Sequence, residues 1–381
     1  MKVLHLGKLC PPNEGGIEVF SFDLLEALNK KGIKAHLLCF GETIKEDDYN
    51  GFKCFACKTN LKLNAALLSY DYIKTFRKIV RHYDIIHVHS PNPLAEILTL
   101  ITDKKVIINW HSDIVRQKIS YLLYKPIQQK VLKKADKIIA TSPQYLETSK
   151  QIKNFKDKAI VIPLGLNPKR LKINEQDLRE FDKIKEKIRN KKVVLAVGRL
   201  IEYKGFEYLV EASQFLKDDI IVLIAGRGHL YKTLKNKIEK LNLKDKILLL
   251  GRVNNVSVYM KNCDLFCLPS ISRNESFGLV LVEALYFGKP LVTTNVEGSG
   301  MNYVNKHNET GLIVPPKNSK ALAEAINTIL SDEKLYKKFS KNALERFKEF
   351  EIDSVADKII KVYEIVLKKI ETFNRLMNSQ I

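Results

Sequence analysis

Short apolar, β-branched runs alternate along the chain with longer stretches whose apolar positions recur every three or four residues. In the first half the apolar runs fall at 3–7, 35–40, 84–90, 106–111, 137–142 and 160–165, with helical spacing at 18–31, 64–82 and 120–134. The pattern restarts at 193–199 and continues at 220–226, 247–251, 265–270, 291–295 and 311–314, with helical spacing at 206–217, 231–241, 278–287 and 319–330. Strands this apolar are buried on both faces, and a helix after each one makes a parallel connection. The expected fold class is α/β: two Rossmann-like doubly wound parallel-sheet domains facing a cleft. The first domain is expected over 1–170 and the second over 171–351, with the polar stretch 167–192 as the seam. A last helical pattern, 352–377 and on to 381, either crosses back onto the first domain or caps the second.

In open parallel sheets, ligands collect at the carboxyl ends of the strands, and the unusual residues of this chain fall there. After the first run comes Pro11-Pro12-Asn13-Glu14-Gly15-Gly16. Gly15 and Gly16 open a helix whose N–H groups and dipole favour a phosphate or a sugar; the plainer alternative is an ordinary turn. It is not the G-x-G-x-x-G of dinucleotide sites. His111 follows the run 106–111 and is placed to donate to a sugar hydroxyl or an oxyanion, unless it is a satisfied structural histidine. His87 and His89 share one strand face, where packing and cleft lining are favoured over a metal pair.

In the second half, Arg199 and Lys204 flank a turn bounded by Gly198 and Gly205, a spacing that can clamp a diphosphate. Glu275 lies in a loop and Glu283 further along the helix that starts near Gly278. One carboxylate can orient sugar hydroxyls while the other grips a ribose diol. A glycosidase acid/base pair is the alternative, but a cationic phosphate clamp has no place in simple hydrolysis. The N–H groups of Phe277, Gly278 and Leu279 suit an anion above that helix. Gly251-Arg252-Val253 can cradle a base through the main chain at Val253, and Gly226-Arg227-Gly228 is a similar turn.

Taken in order, GGIE at Gly15, the GR-x4-KG turn at Gly198, LPS at Leu268 and E-x7-E from Glu275 to Glu283 resemble glycosyltransferase family 4, the retaining enzymes with the GT-B fold. The resemblance covers nearly the whole chain. It implies an acceptor on the N-terminal domain and a nucleotide-sugar donor on the C-terminal one. Gly15 and Gly16 would lie near the diphosphate, His111 at the transferred sugar, Arg199 and Lys204 at the leaving diphosphate, Glu275 at sugar hydroxyls and Glu283 at the ribose. It implies no cofactor and no metal ion. Where many relatives carry Gly-Gly-x-x-Glu, this chain reads Val296-Glu297-Gly298-Ser299-Gly300-Met301. WHSDIVRQK from Trp110 and TSPQYLETS from Thr141 are similar to bacterial mannosyl- and rhamnosyltransferases of surface-polysaccharide assembly, which makes GDP-mannose the first donor expected. A UDP-sugar transferase of the same family and a nucleotide-sugar 2-epimerase are the alternatives, the latter disfavoured by the E-x7-E with its GR-x4-KG turn.

Charge changes the picture of the partners. The 64 Lys and Arg against 43 Asp and Glu leave a net charge of +21, which attracts polyanions. A basic nucleic-acid-binding protein would interleave aromatic and basic residues on one surface. Here the carboxylates and glycines gather at strand ends instead, so no nucleic-acid partner is expected. Lys53, Lys58, Lys62, Lys74, Arg77, Lys78, Arg81, Arg116, Lys118, Lys125, Lys130, Lys133 and Lys134, interleaved with Leu61, Leu63, Leu67 and Leu68, suit an anionic membrane surface bearing a glycolipid or oligosaccharide acceptor. No apolar run approaches the roughly 18–20 residues that span a bilayer, and MKVLHLGKLCPP has no signal-peptide character. The expected location is cytoplasmic, peripheral to the inner face of the cytoplasmic membrane. The six cysteines are expected to be buried free thiols, because Cys54-x-x-Cys57 lacks the second ligand pair of a zinc site.

Overall fold

The computed structural model describes residues 1–11, 15–63, 66–115 and 118–378. Pro12, Asn13, Glu14, Arg116 and the side chain of Lys118 lie outside the described set. The chain divides into two compact units, Met1–Gly165 with Glu351–Ile381, and Leu166–Phe350. The boundary thus falls five residues ahead of the one expected at 170, and Pro168–Leu171 belongs to the second unit.

The first unit carries β1 (Lys2–Leu9), β2 (Lys34–Gly41), β3 (Lys45–Tyr49), β4 (Phe52–Lys58), β5 (Leu61–Leu63), β6 (Ala66–Leu68), β7 (Ile85–Ser90), β8 (Lys105–Trp110), β9 (Lys137–Ala140) and β10 (Ala159–Val161). Its main sheet runs β10-β9-β8-β7-β1-β2-β4-β3, with β5 and β6 a separate hairpin. All pairings in the main sheet are parallel except the edge strand β3 against β4. The strand order reverses between β1 and β7, which is where such sheets bind ligands. β7 is buried at every residue, as a strand covered on both faces must be. The helix Gly16–Lys30 buries Phe20, Leu24, Leu25 and Leu28, each worth about 1.5–3 kcal/mol of transfer from water. The last helix, Ile352–Asn378, buries Val355, Ala356, Ile359, Val362, Tyr363 and Val366 and joins the first helix through Lys31–Asp357 at 2.8 Å.

The second unit carries β11 (Lys192–Val197), β12 (Ile220–Ala225), β13 (Ile247–Gly251), β14 (Leu265–Leu268), β15 (Leu291–Thr294) and β16 (Gly311–Val314) in the order β13-β12-β11-β14-β15-β16, all parallel. The order reverses between β11 and β14.

Some expectations change. The seam contains a helix, Glu175–Ile188, started by a capping box in which the Asn174 and Asp177 side chains each accept the other's backbone N–H at 2.9 Å. The span 64–82 is strand β6 followed by the helix Tyr70–Ile79, because Ser69 caps that helix by accepting the N–H of Tyr72. Leu67 is buried in the first unit's core rather than exposed among the lysines. The free-thiol expectation fails for two cysteines: Cys10 and Cys39 form a disulfide with Cα atoms 5.3 Å apart. Parallel pairing of β1 with β2, Leu9 against Phe40, sets these residues side by side. Cys54, Cys57, Cys263 and Cys267 are buried and free.

Candidate functional site

The switch point of the second unit draws the loops after β11 and β14 together. The Ile271 N–H donates to the Tyr203 carbonyl at 2.8 Å. Gly205 holds the first loop in a left-handed turn, φ +67°, and a side chain there would meet the Pro269 carbonyl at 2.2 Å. Lys204 runs its stem past Gly198 and ends in an ion pair with Glu275. Both side chains are nearly enclosed, 10% and 12% exposed. The Ser270 hydroxyl donates to the same carboxylate oxygen at 3.3 Å.

A third loop braces this pair. Ser299 Oγ donates to the Glu275 carbonyl at 2.5 Å and the Gly300 N–H to the Ser276 carbonyl at 2.7 Å. The Thr294 hydroxyl donates to the Ser270 carbonyl. Phe277 is buried, and Gly278, at φ +81°, caps the helix Leu279–Tyr286 with no side-chain bond. The N–H of Leu281 donates to the Gly278 carbonyl at 2.8 Å, and the N–H groups ahead of it at the helix start suit an anion.

The other expected residues are placed as follows. Arg199 is exposed and donates to the Tyr203 hydroxyl at 3.2 Å, so the two cations of the turn differ: one is paired inside, one reaches outward. Glu283, on the second turn of its helix, is half-buried; desolvation pushes its carboxyl up to about 7, against the pull of Arg170. Val253 lines a shallow pocket of about 470 Å³ with Leu250, Tyr259 and residues of the helix Glu175–Ile188. Backbone bonds from Gly198 to Ala225 and from Gly226 to Gly251 hold the ends of β11, β12 and β13 level.

The raised carboxyl of Glu283 has a stability consequence. A carboxyl held above its unfolded value favours the protonated fold, so its contribution is full below about pH 4.5 and is lost as pH rises through about 7. Glu283→Gln is therefore expected to leave stability unchanged at pH 4.5 and to raise it by about 2 kcal/mol at pH 8. Urea unfolding at both pH values checks this; equal curves at pH 8 would show that the carboxylate is not strained there.

In the first unit, Gly15 precedes the helix Gly16–Lys30, and the carboxylate of Glu18 folds back to 2.3 Å from where a Cβ on Gly15 would stand. That helix end therefore carries the chain's own negative charge, while Gly16 faces open space. His111 is buried beside β8. Its backbone N–H donates to the Ser90 carbonyl at 3.0 Å, its ring stacks on His89 at 5.3 Å, and Phe20 packs edge-on at 5.7 Å. His87 and His89 lie in the same buried group with His5. Burial lowers all four histidines below their usual range, His89 to about 3, so the rings are neutral at pH 7.

Ser270, Ser299 and Gly300 were not among the residues expected at the site. The only signal for the latter two was the departure from the Gly-Gly-x-x-Glu pattern in their segment.

Two family models cover most of the chain: Glycosyltransferase Family 4 matches residues 14–170 and Glycosyl transferases group 1 matches residues 178–346. The chain is 30% identical to the O-antigen chain mannosyltransferase C of Escherichia coli, over 97% of this chain and 99% of the relative. It is 30% identical to the D-rhamnosyltransferase WbpZ of Pseudomonas aeruginosa, over 92% of each. It is also 30% identical to the N-acetylgalactosamine-N,N'-diacetylbacillosaminyl-diphospho-undecaprenol 4-alpha-N-acetylgalactosaminyltransferase of Campylobacter jejuni, over 91% of this chain and 95% of the relative. Among solved structures it is similar to Anabaena HepE in complex with UDP, with a TM-score of 0.76, 20% identity and coverage of 96% and 100%. It is likewise similar to a sucrose-phosphate synthase of Thermosynechococcus elongatus, with a TM-score of 0.77, 22% identity and coverage of 97% and 99%.

Proposed function

Because the chain belongs to the glycosyltransferases, with a family 4 half followed by a group 1 half, we propose that it moves mannose from GDP-mannose, with retention and without a divalent metal, onto a glycolipid or oligosaccharide acceptor in surface-polysaccharide assembly. The observation that carries the proposal is the enclosed Lys204–Glu275 pair at the β11/β14 switch point, beside the uncapped start of the helix Leu279–Tyr286. The sugar–phosphate C–O bond breaks with its electron pair going to the diphosphate. Arg199, Lys204 and the N–H groups of Phe277, Gly278 and Leu279 stabilise that charge. Glu275, steadied by Lys204 and Ser270, takes the sugar hydroxyls, Glu283 the ribose, and the main chain at Val253 the base. In the first unit His111 and the turn at Gly15 and Gly16 take the sugar side, with the acceptor. The acceptor hydroxyl attacks the face the diphosphate leaves and gives its proton to a phosphate oxygen.

The mannosyl- and rhamnosyltransferase relatives favour the mannose donor; the UDP bound to the Anabaena neighbour favours a UDP-sugar as the second choice. Thermal shift with GDP, UDP, ADP and their sugar conjugates decides. GDP and GDP-mannose, without added metal, are expected to raise the melting temperature by several degrees, as a ligand at about 100 times its Kd stabilises by about 2.7 kcal/mol. A shift with UDP alone would replace the donor, and no shift with any of them would sink the nucleotide-sugar proposal.

The site is served from the inner face of the cytoplasmic membrane. No helix among the described residues is long and apolar enough to cross a bilayer. The helix Lys118–Lys134, a few residues past His111, instead turns Ile119, Leu122 and Leu123 outward at 81%, 68% and 80% exposure. Lys125, Lys130 and Lys133 are exposed along it, and Leu61 and Leu63 stand out from the hairpin β5–β6. Exposed leucines among lysines suit insertion into the boundary of an anionic leaflet.

A further inference from the structure

Five buried polar groups of the first unit form one unbroken chain, of which the steps above use only His111. His5 lies on β1, His87 and His89 on β7, His111 just past β8, and Tyr363 on the last helix. Parallel pairing sets His5 against His87, and alternation along the strand puts His87 and His89 on one face. Nε2 of His111 lies 3.0 Å from Nδ1 of His89, and Nε2 of His89 lies 3.0 Å from Nδ1 of His5. Nε2 of His5 lies 3.2 Å from the Tyr363 hydroxyl, which lies 2.6 Å from Nδ1 of His87. The two end nitrogens, Nδ1 of His111 and Nε2 of His87, are buried with no hydrogen-bond partner among the described residues.

A neutral imidazole has one N–H and one lone pair, so each link dictates the next. Only two states satisfy every link. In one, all four rings carry the proton on Nδ1 and Tyr363 donates to His5. In the other, all four carry it on Nε2 and Tyr363 donates to His87. Each state leaves one N–H over, at His111 in the first and at His87 in the second. A buried N–H without an acceptor is the rarer and costlier defect, so it belongs where a ligand oxygen can accept it. His87 is enclosed in the sheet face, whereas His111 stands at a strand's carboxyl end, where ligands gather. Asn109 bears on both ends of the row: its Nδ2 lies 3.5 Å from Nε2 of His111, the accepting nitrogen in the first state, and its side chain also bears on His87.

We propose that His89, His5, Tyr363 and His87 form a hydrogen-bond chain that holds all four histidines protonated on Nδ1, making His111 a donor through Nδ1 to an oxygen of the transferred sugar. This rests on the assignment of His111 to the sugar made above. His89, which holds Nε2 of His111, is the nearest positioning residue, and Tyr363 ties the chain to the last helix.

Histidine-selective 15N labelling of the full chain, read through long-range imidazole 1H–15N spectra, tests it. The four buried rings are expected to share the Nδ1–H pattern, although Nε2–H is the ordinary form of a free neutral histidine. Tyr363→Phe should release His87 alone from the shared form. His89→Leu should return His111 to Nε2–H and lower kcat about tenfold with the donor KM unchanged, the loss expected when one neutral hydrogen bond is withdrawn. A mixed set of tautomers in the wild-type chain overturns the proposal. So does a His89→Leu variant whose His111 tautomer and kcat are unchanged. Zinc bound one per chain overturns it too, since ring nitrogens of His5, His87 and His89 lie within 4.8 Å of one another. Full transfer by His111→Ala would instead remove His111 from the sugar while leaving the tautomer result standing.

Discussion

Lys204→Ala is expected to slow sugar transfer by roughly 10²–10³, the usual loss when one preorganised donor to developing charge is removed. The variant loses more than a cation. Glu275 is left nearly enclosed, with only the Ser270 hydroxyl among the described residues on its carboxylate, so both the leaving diphosphate and the sugar hydroxyls lose their fixed partners. An orphaned carboxylate in that position costs about 3 kcal/mol of stability, which an ordinary two-domain chain survives. Glu275→Ala is expected to cost a similar factor in rate by orphaning the lysine. Combining the two should recover stability relative to the sum of the single losses, because no lone charge remains, but should recover no activity. Initial rates and urea curves on the three variants settle the matter. Full transfer by Lys204→Ala would strike the residue from the mechanism.

The second large effect is on membrane binding. Leu122→Glu with Leu123→Glu is expected to lower partition onto phosphatidylglycerol vesicles by more than about a hundredfold, since each buried leucine contributes about 2 kcal/mol and each new carboxylate is repelled. The two leucines are exposed on the helix Lys118–Lys134, so the fold loses nothing with them. Donor turnover with a water-soluble acceptor should be unchanged. Vesicle flotation reads the first effect, and wild-type flotation by the double variant would show that this helix is not the lipid-facing one.

The fold was legible where burial is two-sided. Runs such as Ile220–Ala225 are apolar at every position because a helix covers each face. The edge strand Lys45–Tyr49, KEDDY, was not legible, because a strand facing water on both sides has no apolar period to show. The helix Glu175–Ile188 was hidden in the seam for a related reason: it buries only Asp177, Phe181 and Ile188, and its charged majority has the composition of a linker.

At the site, Lys204 and Glu275 could be named from local motifs, but their pairing depends on β11 and β14 being neighbours across an order reversal. The disulfide needed the register of β1 on β2. The histidine chain was out of reach for the same reason, since its hydroxyl link comes from the far end of the polypeptide, at Tyr363.

The path of the backbone sets an order of manufacture. Residues 166–350 interrupt a unit whose closing helix begins only at Ile352. As the polypeptide leaves the ribosome, the sheet of β1 to β10 must wait, with the face that Tyr363 and Val366 will cover still bare, while the whole of the later unit is synthesised and free to fold. The half begun first is the half completed last.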